Sequence, residues 1–125
     1  MTDSNKKVLI ADDNEASFAY LEILLRRMGF ISLHVKNGVE LLKRIKYEKP
    51  DIIFLDIGMR TMDGLTALKA VKEDSQTTHI PVIMISGDDS KETIANCRRL
   101  GCVGYLVKPI SSDKLLEVLE LKGWR

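Results

Sequence analysis

Several kinds of residue and segment are scarce or missing in this sequence, and each absence removes a class of function. There are two cysteines, Cys97 and Cys102, with four residues between them, and no further cysteine or nearby histidine to complete a zinc set. The expectation for them is two small, semi-buried residues in a reducing compartment. His34 and His79 lie far from each other and from any cysteine, and belong at the surface or a strand edge. No stretch of eighteen apolar residues exists to cross a membrane, and the start Met1 to Lys7 carries no apolar signal segment. A cytoplasmic location without a membrane partner is expected. Nineteen basic against eighteen acidic residues leave a net charge of +1, which makes no electrostatic case for direct nucleic-acid binding. No repeat, low-complexity segment or linker divides the 125 residues, so residues 1–125 are expected to form one domain, with 1–6 flexible.

What the sequence does have is a series of short apolar runs, each ending on a polar group. Ile52-Ile53-Phe54-Leu55 stops at Asp56, and Val8-Leu9-Ile10-Ala11 stops at Asp12-Asp13. Ile80 to Ile85 stops at Ser86, and Tyr105-Leu106-Val107 stops at Lys108-Pro109. The Ile52 to Leu55 run, four apolar residues without alternation, reads as a strand buried on both faces, as in a parallel sheet covered by helices. A fifth strand, Ile31 to Val35, alternates apolar and polar residues and belongs near an edge.

Helical spacing fills the intervals. A helix capped by Asn14 runs to about Met28 with Phe18, Leu21, Leu25 and Met28 inward and Gly29 as its stop. After a turn at Asn37-Gly38 a second helix, Val39 to Tyr47, is expected to bury Val39, Leu42 and Ile45 before Pro50. A third places Leu65, Leu68 and Val71 inward, a fourth Ile94, Cys97 and Leu100, and the last Leu115, Leu116 and Leu119. The fold class is therefore α/β: a five-stranded parallel sheet, doubly wound, with five helices.

Open sheets of this kind place ligands beyond the carboxyl ends of their strands. The residues delivered there are Asp12, Asp13, Asp56, Ser86 and Lys108, a set suited to a cation and an anion together, as phosphoryl chemistry requires. Three neighbouring carboxylates demand a proton or a cation, since two such charges about 4 Å apart repel by about 4 kcal/mol at an effective dielectric of 20. An all-oxygen set without Cys or His selects a hard ion, Mg²⁺ first and Mn²⁺ as an alternative. Asp13 and Asp56 are the expected direct ligands, Asp12 one acting through water, and the backbone carbonyl of Gly58 a further donor. Asp56 retains an oxygen able to attack phosphorus, with Lys108 and Ser86 meeting the phosphoryl oxygens. A phosphoryl group there would draw Ser86 and its loop inward and open space for Tyr105, which otherwise reads as an ordinary strand aromatic.

Taken together, Asp12-Asp13, Leu55-Asp56 with Met59 and Met62-Asp63-Gly64, Ser86, and Gly101 through Tyr105-Leu106-Val107-Lys108-Pro109 resemble the receiver domain of two-component response regulators, over essentially the whole chain. The resemblance implies a flavodoxin-like strand order 2-1-3-4-5 and a cis peptide between Lys108 and Pro109. It implies Asp56 as phosphoacceptor, Asp12 and Asp13 as metal acids, Ser86 and Lys108 as the phosphate-sensing pair and Tyr105 as the switch aromatic. The implied donor is a histidine kinase or histidine phosphotransfer protein. The implied output is a downstream protein effector or an output domain outside this sequence, through a face including Arg98, Arg99 and Lys114. The resemblance further implies a domain that assists its own phosphorylation and dephosphorylation but is not otherwise an enzyme.

Three positions depart from the family pattern. Arg60 stands where Pro is usual and adds a positive charge, Gly87 replaces the common Ala, and Gly58 offers no side chain to shield a phosphoryl group. Asp88 is then the residue expected to control water access. Two other functions compete: a Mg²⁺-dependent phosphatase or mutase using an aspartyl phosphate, and a phosphorylation-independent interaction domain. Gly58 argues against the first, because such enzymes place a general acid two residues after the nucleophile. The complete set of polar strand ends argues against the second.

Overall fold

The computed structural model describes residues 6–121 and 123, so the expectation of a flexible start falls, except for the exposed Lys6, outside the described residues. Ten elements alternate along the chain: β1 (Lys7–Ala11), α1 (Glu15–Arg27), β2 (Ile31–Val35), α2 (Gly38–Glu48), β3 (Ile52–Asp56), α3 (Gly64–Glu73), β4 (Val82–Ser86), α4 (Lys91–Arg99), β5 (Gly104–Val107) and α5 (Ser112–Leu121). The strands form one parallel sheet in the order β2-β1-β3-β4-β5. Fold class and strand order are those expected.

Successive strand residues point to opposite faces, so each apolar run feeds two cores. Leu9, Ile53, Leu55, Val82 and Met84 pack under α2, α3 and α4 with Leu41, Leu68, Val71 and Cys97. Val8, Ile10, Phe54, Ile83 and Ile85 pack under α1 and α5 with Leu21, Leu25, Leu115 and Leu119. The strands β3 and β4 are buried along their whole length, whereas the edge strands β2 and β5 are only partly covered. This is why the three inner strands read as unbroken apolar runs and β2 as an alternating one.

Helix faces needed correcting. The α2 face consists of Gly38, Leu41 and Ile45, with Leu42 half-buried and Val39 exposed. The cause is Gly38: a Cβ there would lie 2.8 Å from the Met62 side chain, so its absence brings this corner of the helix against the β3–α3 loop and turns Val39 outward. In α1 the buried residues are Leu21, Leu24 and Leu25, with Phe18 and Met28 half-buried, and in α5 Leu116 is half-buried. The β4 run also starts at Val82, because Ile80 ends the preceding turn with its N–H on Thr77 O at 3.0 Å.

Every helix runs antiparallel to its strands, so all five start at the carboxyl edge of the sheet. Polar side chains cap them there: Asn14 on Ser17 N–H, Asn37 on Glu40, Asp63 on Thr66, Ser90 on Thr93 and Ser111 on Lys114. The positive ends of the helix dipoles thus surround the rim where the strands deliver their acids. Among the described residues no helix is long and apolar enough to cross a membrane.

Candidate functional site

Strand register assembles the site before any side chain is considered. Ala11 pairs with Leu55, so Asp12, next along β1, comes level with Asp56 at the end of β3. Asp56 pairs with Ile85 and Ser86 with Val107, which places Ser86 one residue further out on β4 and Lys108 two residues further out, just past the end of β5. The Lys108–Pro109 peptide is cis, as the resemblance implied.

Carboxylate oxygens of Asp12, Asp13 and Asp56 lie within 4.8 Å of one another. Asp12 and Asp56 are 2% and 6% exposed, while Asp13 is half-buried and opens the cluster to solvent. Each buried acid is held twice. Asp12 accepts the Asn14 N–H at 2.9 Å, Asp56 accepts the Gly58 N–H at 3.1 Å, and Lys108 Nζ lies 3.5 Å from Asp12 Oδ2 and 3.3 Å from Asp56 Oδ2. Burial nonetheless pushes the Asp12 carboxyl above the usual carboxylate range, and the like charge of Asp56 adds to it, against the pull of the Asn14 N–H and Lys108. A cluster whose own lysine does not restore ordinary acidity has room for another cation. Its all-oxygen donors fit a hard divalent ion. The Gly58 carbonyl, beside Asp56, accepts no hydrogen bond among the described residues and so keeps its donor capacity.

Across the rim, the buried Ser86 accepts the Asp88 N–H on its Oγ at 3.0 Å. The half-buried Tyr105 donates its hydroxyl to Asp88 O at 2.6 Å. Burial pushes the Tyr105 phenol up, and the neighbouring Ser86 hydroxyl draws it partly back, so ring, serine and loop form one contact group. The Asp88 carboxylate is not turned toward the acids. It accepts from Thr93 Oγ1 at 2.7 Å and from the Ser90 N–H at 2.8 Å, bonds that hold it below the usual range and at the start of α4. In this arrangement its side chain serves the α4 cap, and the expected screening of water from the site has no geometric support.

Two contacts were not foreseen. Arg60 Nε lies 3.3 Å from Asp13 Oδ2, giving the departure from Pro a specific partner. His34, on the edge strand as expected, is half-buried: its ring stacks on Phe18 with centroids 4.0 Å apart, and its Nε2 lies 2.7 Å from Asp12 O. A carbonyl only accepts, so Nε2 carries the hydrogen and fixes the backbone at the first acid. Nothing in a lone histidine signals that; only the pairing of β1 with β2, which sets Ile10 opposite His34, could have suggested it.

Beside the acids a cavity of about 440 Å³ runs between α1 and the segment following β5, with Ala16, Tyr20, Ile85 and Ile110 as walls and Asp12 and Lys108 at its polar end. Tyr20 closes one side by donating its hydroxyl to Ile110 O at 2.6 Å.

Known proteins carry the same pattern. Residues 8–120 match the response regulator receiver domain. The polar-differentiation response regulator DivK of Brucella anthropi is 32% identical over 115 residues, covering 92% of this chain and 94% of that protein. The chemotaxis response regulator CheY4 of Vibrio cholerae superposes with a TM-score of 0.87 at 29% identity, over 94% of this chain and 98% of that one. At 22% identity, the receiver domain of a Pseudomonas aeruginosa sensor histidine kinase shares the fold, with a TM-score of 0.85 over 94% and 97% of the two chains; that structure has a magnesium ion coordinated in its active-site cleft. An acid cluster at the carboxyl rim of a 2-1-3-4-5 sheet, in a chain matched almost from end to end, has one explanation: this protein belongs to the response regulator receiver domain family of two-component signalling.

Proposed function

We propose that this chain is a Mg²⁺-dependent phosphoacceptor, taking a phosphoryl group on Asp56 from a histidine kinase or a histidine phosphotransfer protein. The observation that carries this reading is the convergence of Asp12, Asp13 and Asp56 within 4.8 Å, faced by Lys108. Asp13 and Asp56 would hold the ion, with Asp12 acting through water and the Gly58 carbonyl completing the protein's share. Bound there, Mg²⁺ or Mn²⁺ would offset charge on the attacking and transferred oxygens.

The chain's own groups do the rest. An Asp56 carboxylate oxygen attacks phosphorus while the bond from phosphorus to the donor imidazole nitrogen breaks. The electron pair of that bond leaves with the imidazole, and the product is an aspartyl phosphate. Lys108, 3.3 Å from Asp56 Oδ2, pairs with a phosphoryl oxygen, and the Ser86 hydroxyl donates to another. The cavity beside Asp12 and Lys108 gives a donor protein an apolar seat next to the acceptor. Gly58 supplies no general acid, so the domain serves its own phosphorylation and dephosphorylation and does not turn over external phosphate esters.

Ser86, Asp88 and Tyr105 form the switch. Turning the Ser86 hydroxyl to the phosphoryl group disturbs its contact with Tyr105, whose own hydroxyl is tied to the same loop at Asp88 O. The face made by α4, β5 and α5, with Arg98, Arg99 and Lys114 exposed, then meets a protein effector or an output domain.

Incubation with a small phosphodonor and Mg²⁺, read by intact mass, should add one phosphoryl group to the wild type. Asp56→Asn or a chelator should abolish the gain. An unmodified wild type, or an Asp56→Asn protein modified as fully, would overturn the assignment.

A further inference from the structure

The three acids are not equally provided for. Asp12 and Asp56 each have a backbone N–H and share Lys108, whereas Asp13 has, among the described residues, the Arg60 guanidinium alone, Nε to Oδ2 at 3.3 Å. Arg60 is 88% exposed and sits on the loop of residues 57–63 between β3 and α3, so the tether holds through a single contact and opens readily. We infer that Arg60 is a built-in counter-cation for Asp13, which a divalent ion must displace to use that carboxylate. This rests on the proposed metal-dependent reading of the site and adds to it a competition specific to this chain.

The physical basis is charge. A guanidinium on an oxygen of Asp13 repels a doubly charged ion approaching the same carboxylate, and Mg²⁺ tolerates little distortion of its ligand geometry. Arg60 therefore offsets the charge of the half-buried Asp13 when metal is scarce and weakens the site's affinity by the strength of its own contact. An exposed ion pair of this kind is worth a factor of about 1.4 to 5 in an equilibrium constant. Lys108 cannot play this part, since it is already shared by the two buried acids and faces where the phosphoryl group arrives.

Nuclear magnetic resonance on the full chain tests this without any phosphorylation step. Without metal, the Arg60 Nε–H signal should differ from those of the exposed Arg98 and Arg99, and in Asp13→Asn it should move to their position. On adding Mg²⁺ to the wild type it should make the same move with the midpoint shown by the amides around Asp56. In Arg60→Gln that midpoint should fall at an Mg²⁺ concentration about 1.4- to fivefold lower. An Arg60 signal unmoved by Mg²⁺ or by Asp13→Asn, or an unchanged midpoint in Arg60→Gln, overturns the inference and leaves the metal site standing. If no amide near Asp56 responds to Mg²⁺ in either protein, the metal-dependent reading fails and the inference falls with it.

Discussion

At Gly64 and Gly58, two glycines flanking the same aspartate, the fold and the chemistry place opposite demands. A Cβ on Gly64 would sit 2.5 Å from Asp56 O and 2.6 Å from Ile57 Cα, backbone atoms with no freedom to yield, because α3 begins hard against the end of β3. Gly64→Ala should therefore cost about 2–3 kcal/mol, read as a lower urea midpoint, and should reduce the proposed phosphorylation by shifting the strand end that carries Asp56. A Cβ on Gly58 meets only Asp56 Oδ1, at an ordinary 3.7 Å. Gly58→Leu should leave stability within about 0.5 kcal/mol of wild type, yet lengthen the life of the proposed aspartyl phosphate severalfold by excluding water from Asp56. A lifetime unchanged in that variant, followed by loss of phosphate after removal of donor, would show that water reaches phosphorus from another side. Cys97 presents the reverse of reactivity. Burial pushes its thiol up to about 11, so it should resist alkylation at pH 8 in the native protein and react on unfolding.

Among the elements, α4 is the least anchored, with Cys97 as its one fully buried residue and its start tied down by the Ser90 cap and the Asp88 carboxylate. Asp88 titrates below the usual range, so its bonds contribute at neutral pH, persist below the ordinary aspartate value and are lost as the pH falls through the depressed one. Amide exchange at Thr93 should accordingly be protected at pH 6 and faster in Asp88→Asn, relative to the same amide's intrinsic rate; equal protection would mean that Ser90 alone holds the turn. The elements also show what a sequence can reveal. The inner strands were legible because burial on both faces leaves no alternation to misread, and the acids were legible because an apolar run ending in a carboxylate marks a strand end. The inward face of α2 was not, since it depends on Gly38 meeting Met62 from a loop more than twenty residues away. The partners of Asp12 O and Asp13 escaped for the same reason: His34 and Arg60 reach them through tertiary placement, which no local spacing encodes.

For the molecule as a whole, two apolar cores hold together a rim that electrostatics would disperse. The parallel register forces Asp12 and Asp56 side by side, and burial first, then the like charge of Asp56, raises the Asp12 carboxyl against the pull of the Asn14 N–H and Lys108. Unfolding separates the acids, so a cation that binds them only when they are gathered must stabilise the native state. With Mg²⁺ at a hundred times its dissociation constant the gain is about 2.7 kcal/mol. For a chain of this size that corresponds to a melting temperature higher by roughly 10 °C. NaCl at matched ionic strength should give much less, since screening acts on surface charge generally and not on this cluster. Asp13→Asn and Asp56→Asn should each lose most of the Mg²⁺ response, because each removes a proposed ligand, while keeping the fold, because neither residue lies within the two apolar cores. Equal melting shifts in wild type and both variants would place the bound ion elsewhere on the surface and detach the stability of this fold from the chemistry at its rim.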